Sequence, residues 1–405
     1  MSPTKPHVLI AGAGIGGLAL AQMLRRRDIP FSIFERGDDG HTQGWAIAVH
    51  GIVQELVASF PDDLPPLAES VNNLRALGNV PAEFVLYPAG DGAAGLRFGD
   101  DGSNTRLVRA NRALLRKYLS TNIAIQYGKK AVAAAQEGDR VTVRFEDGTS
   151  AEGDILVGAD GVHSAIRRSI LPGPDRLETL PFACIMGEVP LSGEAMRRQM
   201  ALGRSAYILR PPYPGGKGQF FVGTNIVRDG GDCADFYWMM LFAQEKGDTD
   251  PDDLARHWHA TSSRADLLER AVAESRLMDP ALSEVVRQTP AEGIVKPPLV
   301  LRALHLPGLP VGRMTLLGDA THTMPPFRGE GGVNALVDAL RLGEAIGKIA
   351  AGDVDVATAM EEYQAEMLER GNRAVTMSVD AVETDVRAQQ MFDIPAMARV
   401  AVEVS

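Results

Sequence analysis

The chain has 405 residues, 45% of them hydrophobic, with 41 basic and 52 acidic side chains and a net charge of −11. That length and apolar content allow a large core spread over two or three domains. The acidic balance speaks against a nucleic-acid partner. Cys184 and Cys233 form neither a CxxC nor a zinc spacing, so both read as reduced, buried and structural, and no metal site is expected.

At the N-terminus, Lys5, the apolar run Val8 to Leu20 and the small residues Ala19-Leu20-Ala21 imitate a signal peptide. Glycines interrupt that run, and cleavage would delete a glycine loop. A strand–turn–helix in a cytoplasmic protein explains the segment better. No other stretch approaches the roughly 20 apolar residues that span a bilayer.

His7 to Ala11 reads as a buried parallel strand, Ile15 to Arg27 as the helix after it, and Phe31 to Glu35 as a second parallel strand. Arg25-Arg26-Arg27 suit the negative end of that helix. This is the βαβ opening of a doubly wound sheet. Gly12 allows a tight turn, Gly14 lets the backbone approach a diphosphate, and Gly17 lets the helix pack close. Ile15 opens the helix whose free N–H groups would receive the diphosphate. Glu35 stands where an acid accepts ribose hydroxyls, with Arg36 beside it. This element does not separate FAD from NAD.

Gly44 precedes the alternating Trp45 to Val49, which reads as a strand edging the ligand and ending at His50. Residues 71 to 105 mix short strands with loops. Leu114 to Thr121 reads as a helix, and Arg140–Glu146 with Ser150–Asp154 as a hairpin around Asp147-Gly148. Ile155 to Ala159 is another buried strand, followed by Asp160-Gly161. That pair suits either a turn beside a diphosphate or an ordinary capped turn. From about 176 to 300 the chain reads as a separate sheet-based domain, with strands Ala206–Arg210 and Gln219–Val227 and a helix from about Pro251 to Ser275.

Arg313 to Leu317 returns to the first sheet, and helices are expected at 332–351 and 356–390. The last carries Met360, Tyr363, Met367, Val375, Val379, Val382 and Val386 near helical spacing. Between that strand and those helices lies Gly318-Asp319-Ala320-Thr321-His322, then Pro325 to Gly331. Asp319 can accept a ribityl hydroxyl. Gly329, Gly331 and Gly332 bring bare N–H groups to a helix start, where a reduced flavin's negative edge would be stabilised. Two widely separated loops gripping one ligand require a long ligand, and FAD fits.

Three motifs in order, GAGIGG with Glu35, GADGVHSAIR from Gly158, and GDATHTMPPFRGEG from Gly318, resemble the single-component class A FAD-dependent monooxygenases of the p-hydroxybenzoate hydroxylase type. The resemblance covers residues 7 to about 350. Arg109 to Arg116 looks like that family's arginine–leucine helix, with Arg112 near the flavin diphosphate and ribityl chain. Gln43-Gly44-Trp45 is similar to fungal secondary-metabolism members. The sequence departs at His41-Thr42-Gln43, where the family often has an arginine, and at Val333, where it usually has asparagine; here Asn334 follows.

The resemblance implies an α/β fold: a glutathione-reductase-like doubly wound sheet with an inserted sheet-based substrate domain and C-terminal helices. The FAD domain would comprise 5–70, 106–175 and 300–352. The substrate domain would comprise 71–105 and 176–299, and 353–405 would form the helical end. The implied chemistry is reduction of FAD by transiently bound NADPH or NADH, reaction with O2 to a C4a-hydroperoxide, and hydroxylation of an aromatic or polyketide-like small molecule. A monomer or homodimer is expected.

Candidates for substrate chemistry are His50, Tyr207 and Arg210, walled by Trp45, Phe220 and Phe221; Tyr207 and Arg210 are equally readable as cross-strand packing residues. His50 is also readable as a structural histidine at a strand end. His322 reads as structural or phosphate-adjacent, and His257-Trp258-His259 as part of a solvated helix. Competing readings are a flavin halogenase, whose tryptophan-type WxWxIP signature is missing, an FAD oxidase or dehydrogenase without oxygen insertion, and a catalytically silent flavoprotein scaffold.

Overall fold

Val8-Leu9-Ile10-Ala11 is apolar at every position, and it forms the middle of a five-stranded parallel sheet. A strand covered on both faces needs that continuous run. The computed structural model describes residues 5–38, 44–78, 80–87, 96–100, 106–209, 218–228, 230–243, 258–383 and 398–399. The sheet runs in the order Met314–Leu316, Ile155–Gly158, Val8–Ala11, Phe31–Phe34, Ile125–Gln126. Helix Ile15–Arg26 covers one face and packs on the long helix Gly331–Ala351. The two approach closely at Gly343, where a Cβ would lie 3.1 Å from the Met23 sulfur. The hairpin Arg140–Phe145 and Ser150–Gly153 gains a third strand, Ala131–Glu137, which its unpatterned alanines had hidden.

The second sheet has eight strands, in the order Leu299–Ala303, Glu178–Ser192, Cys233–Ala243, Gly218–Val227, Ala206–Leu209, Glu83–Tyr87, Leu96–Gly99, Ala398–Arg399. Glu83–Tyr87 pairs in parallel with Ala206–Leu209, which joins the segment before 105 to the one after 176. Leu299–Ala303 belongs to this sheet, so the chain leaves it after Ala303 and not at residue 300. The expected Pro251–Ser275 helix is divided among its described residues into Trp258–Thr261 and Arg264–Ser275. Ser263 starts the second piece through a reciprocal capping box with Asp266.

Two elements tie the sheets together. The ribbon Ile47–His50 and Leu107–Ala110 is antiparallel, with Ala48 opposite Arg109 and His50 opposite Leu107. Alternation sends Val49, Val108 and Ala110 into the first core and Ala48 and Leu107 into the cluster under the second sheet. Helix Val356–Glu383 does the same along its length. Met360, Tyr363 and Met367 enter the first core, and Val375, Val379 and Val382 enter the second cluster. Each such buried side chain contributes about 1.5–3 kcal/mol. Val386 lies outside the described residues.

Cys184 is fully buried and burial pushes its thiol up to about 12, whereas Cys233 is only half-buried, contrary to expectation. His259 is buried, not solvated; His257 lies outside the described residues. Among the described residues no helix is long and apolar enough to cross a membrane, and no side-chain group could hold a metal ion.

Candidate functional site

The three glycines of the first loop separate into two kinds. Gly12 adopts φ +115°, and a Cβ there would lie 2.2 Å from the Ala159 carbonyl oxygen. A Cβ at Gly17 would lie 2.1 Å from the Gly12 oxygen. Both positions are closed by backbone. Around Gly14 nothing lies within 4 Å of a Cβ, and Gly14 caps helix Ile15–Arg26 without a side-chain bond. The first-turn N–H groups therefore face open space, as a diphosphate requires.

Glu35 braces this loop. Its Oε2 accepts from Ala13 N at 2.9 Å and its Oε1 from Gly37 N at 2.9 Å. Each oxygen keeps a lone pair for a ribose hydroxyl. Arg36 beside it is exposed. Arg116 donates to the Ala13 carbonyl, tying the Arg112–Leu119 helix to the loop. Gly44 adopts φ +102°, and a Cβ there would lie 2.6 Å from Arg112 Cδ, so glycine is what allows Arg112 to lie across the chain. His41 and Gln43 lie outside the described residues.

Asp160 caps a helix at a turn that borders the first loop, since a Cβ at Gly12 would lie 3.0 Å from Asp160 N. Its carboxylate accepts from the Ser164 hydroxyl, from Ala165 N at 2.7 Å and from Ile166 N at 3.2 Å, capping helix Ala165–Ile170. Gly161, at φ +79°, makes the turn. Buried Arg167 donates to the carbonyls of Ala320 and Val162 and pairs with Asp175, which locks this turn to the second loop.

In the second loop the strand Met314–Leu316 turns at Gly318, φ +64°, into the short helix Asp319–His322. Asp319 is exposed, and its carboxylate takes no hydrogen bond from the described residues. Beneath it lies Asp338, fully buried. Its Oδ2 accepts from Gly318 N at 2.7 Å and from His322 Nε2 at 2.7 Å, and its Oδ1 accepts from Arg370 Nη2 at 2.8 Å. Burial works against a charged His322, but the Asp338 carboxylate outweighs it and holds the imidazole above its ordinary value. Burial likewise opposes a charged Asp338, and His322 and Arg370 bring its carboxyl below the usual range. His322 is thus structural. Asp338 and Arg370 were not singled out by sequence, because they sit 20 and 52 positions after Gly318.

Gly329 adopts φ +67° and leads into helix Gly331–Ala351, 21 residues long. Glu330 occupies the N-cap without a side-chain cap, its carboxylate held by Arg328. The N–H groups of Gly331, Gly332 and Val333 are left for a ligand. A Cβ at Gly332 would meet Ile47 Cδ1 at 3.1 Å, which sets this helix end against the ribbon. Val333 is buried. Asn334 does not stand in for the displaced asparagine. Its amide donates to the Glu330 carbonyl, and its oxygen accepts from Arg370 Nη1 at 2.8 Å.

On the ribbon's other face the substrate candidates divide. His50 is buried, and its Nε2 has no hydrogen-bond partner. Burial lowers its basicity, Glu330 raises it and Arg328 lowers it, leaving the imidazole below its ordinary value and neutral near pH 7. Tyr207 faces the opposite side of the second sheet. Its hydroxyl lies 2.8 Å from both Gln199 Oε1 and the Leu282 carbonyl, within the helix-covered core. That placement removes it from the catalytic candidates. Arg210 lies outside the described residues. Phe220 also belongs to the far core, whereas Phe221 shares the ribbon-side cluster with Trp45, Tyr237, Met324 and Phe327. Tyr237 stacks on Trp45 with ring centroids 5.6 Å apart, and Arg109 Nη2 donates to its hydroxyl at 2.7 Å. Sequence reading passed over Arg109 and Tyr237. The only available signal was a basic residue at an apolar-strand position.

The open space at Gly14, the unpaired Asp319 and the uncapped start of Gly331–Ala351 supply a diphosphate site, a hydroxyl acceptor and a row of N–H donors. These groups fit FAD.

Comparison with known proteins agrees with this geometry. Residues 301–378 match the model of an FAD binding domain family. The chain is 41% identical over 388 residues to the FAD-dependent monooxygenase thnD of Trichoderma harzianum, covering 93% of each. It is 26% identical to the FAD-dependent monooxygenase phnB of Penicillium herquei, over 94% of this chain and 91% of that one. Among solved structures, it shares its fold with 2,6-dihydroxypyridine-3-hydroxylase from Arthrobacter nicotinovorans, with a TM-score of 0.72 at 19% identity, covering 100% of this chain and 99% of that one.

Proposed function

The chain belongs to the FAD-dependent monooxygenases, and on that footing we propose that it hydroxylates an aromatic or polyketide-like small molecule, taking electrons from NADPH or NADH. The observation that carries this reading is the meeting of the uncapped Gly331–Ala351 helix start with a ribbon whose far face fronts the second sheet. A ring held at that helix end has the apolar cluster of Trp45, Phe221, Met324 and Phe327 beside it, and bound FAD supplies the electron transfer and oxygen activation there.

The protein's own residues do the rest. The N–H groups after Gly14 hold the diphosphate, aided by Gly161. Glu35 and Arg36 hold the adenosine end, Asp319 and Arg112 the ribityl chain, and Gly329 to Val333 the ring edge. The dipole of a 21-residue helix favours negative charge at that edge. Trp45, Phe221, Met239, Met324 and Phe327 keep water away from the ring. His50, neutral and unpartnered at Nε2, accepts the proton that a substrate hydroxyl gives up.

The test is NADPH or NADH oxidation by the FAD-loaded protein, with and without polyhydroxylated aromatic compounds. Substrate-stimulated oxidation with an oxygenated product supports the reading. Hydrogen peroxide as the sole product for every compound favours an oxidase. A protein that takes up no FAD sinks the assignment.

A further inference from the structure

Three arginines are buried among the described residues: Arg109, Arg167 and Arg328. Arg167 pairs with Asp175 and Arg328 with Glu330. Arg109 is 4% exposed and pairs with no carboxylate. Its one hydrogen bond runs from Nη2 to the Tyr237 hydroxyl, and its Nε has no partner. The Phe84 ring lies 5.3 Å from the guanidinium carbon and offsets part of the charge. A buried cation left this way costs several kcal/mol, and a purely structural position would be better filled by an apolar side chain.

The surroundings say what the charge faces. Arg109 stands opposite Ala48 on the ribbon, on the same side as Leu107 and His50. That side adjoins the cluster containing Phe221, Tyr237 and Met239. The Tyr237 hydroxyl donates its own proton to the Ala46 carbonyl at 3.1 Å, so toward Arg109 it is an acceptor. Tyr237 is a neutral orienting group, and it fixes the guanidinium with Nε uncommitted.

Resting on the monooxygenase reading, we propose that Arg109 is a specificity-determining residue for the substrate: positioned by Tyr237, it binds an anionic oxygen of the substrate, a phenolate, enolate or carboxylate. An anion at Nε completes the one buried arginine among the described residues that lacks one. A substrate whose acidic oxygen is blocked would leave the cation buried and unpaired, and would be rejected.

The test compares the FAD-loaded wild type with Arg109→Met and Arg109→Lys. The probes are a dihydroxyaryl ketone (phenol only), a dimethoxybenzoate (carboxylate only) and a dimethoxyaryl ketone (neither). Stimulation of NADPH or NADH oxidation is expected from one or both anionic probes and not from the third, which also tells phenolate from carboxylate. Arg109→Met should lower kcat/KM by about a hundredfold, through KM, and Arg109→Lys should recover part of it. Arg109→Met should keep its flavin and melt no lower than wild type. Equal stimulation by the blocked ketone, or unchanged kcat/KM in Arg109→Met, overturns the proposal. So does a loss of flavin in both variants, which marks a structural arginine. Bromide soaked into crystals of the FAD-loaded protein gives a readout independent of turnover. Bromide against Arg109 Nε is expected, and its absence there overturns the proposal. Should no probe stimulate oxidation while bromide occupies the site, the monooxygenase reading is what fails.

Discussion

Asp338→Asn removes one fully buried charge from a polar cluster. The carboxylate accepts three hydrogen bonds, from Gly318 N, His322 Nε2 and Arg370 Nη2. An asparagine offers one oxygen and one amide. If the amide faces Arg370, two donors oppose each other. If it faces His322, the imidazole can shift its proton, but the Gly318 N–H still loses its acceptor. Arg370 retains Glu366 and Asn334, so the arginine is not stranded. Breaking a buried pair of this kind costs about 3–5 kcal/mol. At this chain size that corresponds to a melting temperature lower by about 4–6 °C.

The same substitution frees the turn that presents Asp319, so FAD should be released before the second sheet melts. The assay is a thermal scan followed by flavin fluorescence, with far-UV dichroism alongside. The pH dependence is also defined. His322 is held above its ordinary 6.5, so its contribution is full below that pH and fades as pH rises through the folded value. Asp338 is held below 3.8, so its contribution is full above that pH and fades only under stronger acid. The gap between wild type and Asp338→Asn should therefore be widest between these limits and narrow on the alkaline side. A melting temperature within 1–2 °C of wild type, roughly the effect of an ordinary surface change, would refute the reasoning.

Gly14→Ala should leave the apo-protein's stability within about 0.5 kcal/mol of wild type and weaken FAD binding in an equilibrium titration, because its Cβ enters only ligand space. Gly17→Ala should fail to accumulate as folded protein, since its Cβ meets a carbonyl oxygen; circular dichroism and solubility check this. Tyr207→Phe should lose about 1–2 kcal/mol in a denaturant titration and keep its kcat, as expected for a core residue. His50→Asn should lower kcat by about a hundredfold or more in steady-state assays. It should also abolish the acid limb of the pH–rate profile, which in wild type falls as His50 protonates below 6.5.

The loops that carry the cofactor were legible because glycine spacing reports a backbone requirement directly. Gly12, Gly14 and Gly17 announce a turn, an approach and a close packing before any coordinates exist. Which of them borders ligand and which only protein was not legible, since that depends on Ala159 and on open space. The packing role of Tyr207 was one of two readings the sequence left open, for a different reason. Neighbouring strand residues face opposite sides, and nothing in Ala206-Tyr207-Ile208-Leu209 says which side fronts the first domain. The cap that Asp160 forms depends on Ser164 and the two following N–H groups, whose placement the sequence does not state. The Asp338 cluster joins the Gly318–His322 segment to Asp338 and Arg370 farther along the chain, so no local pattern marks it. Arg109 is hidden similarly, because its interest lies in the carboxylate it lacks.

The most direct test of the account is a reaction of FAD-loaded protein with NADPH or NADH, a polyhydroxylated aromatic substrate and isotopically labelled O2, followed by mass spectrometry of the product. One labelled oxygen atom in the product is expected, with the other recovered in water. Unlabelled substrate accompanied by stoichiometric labelled hydrogen peroxide would contradict it.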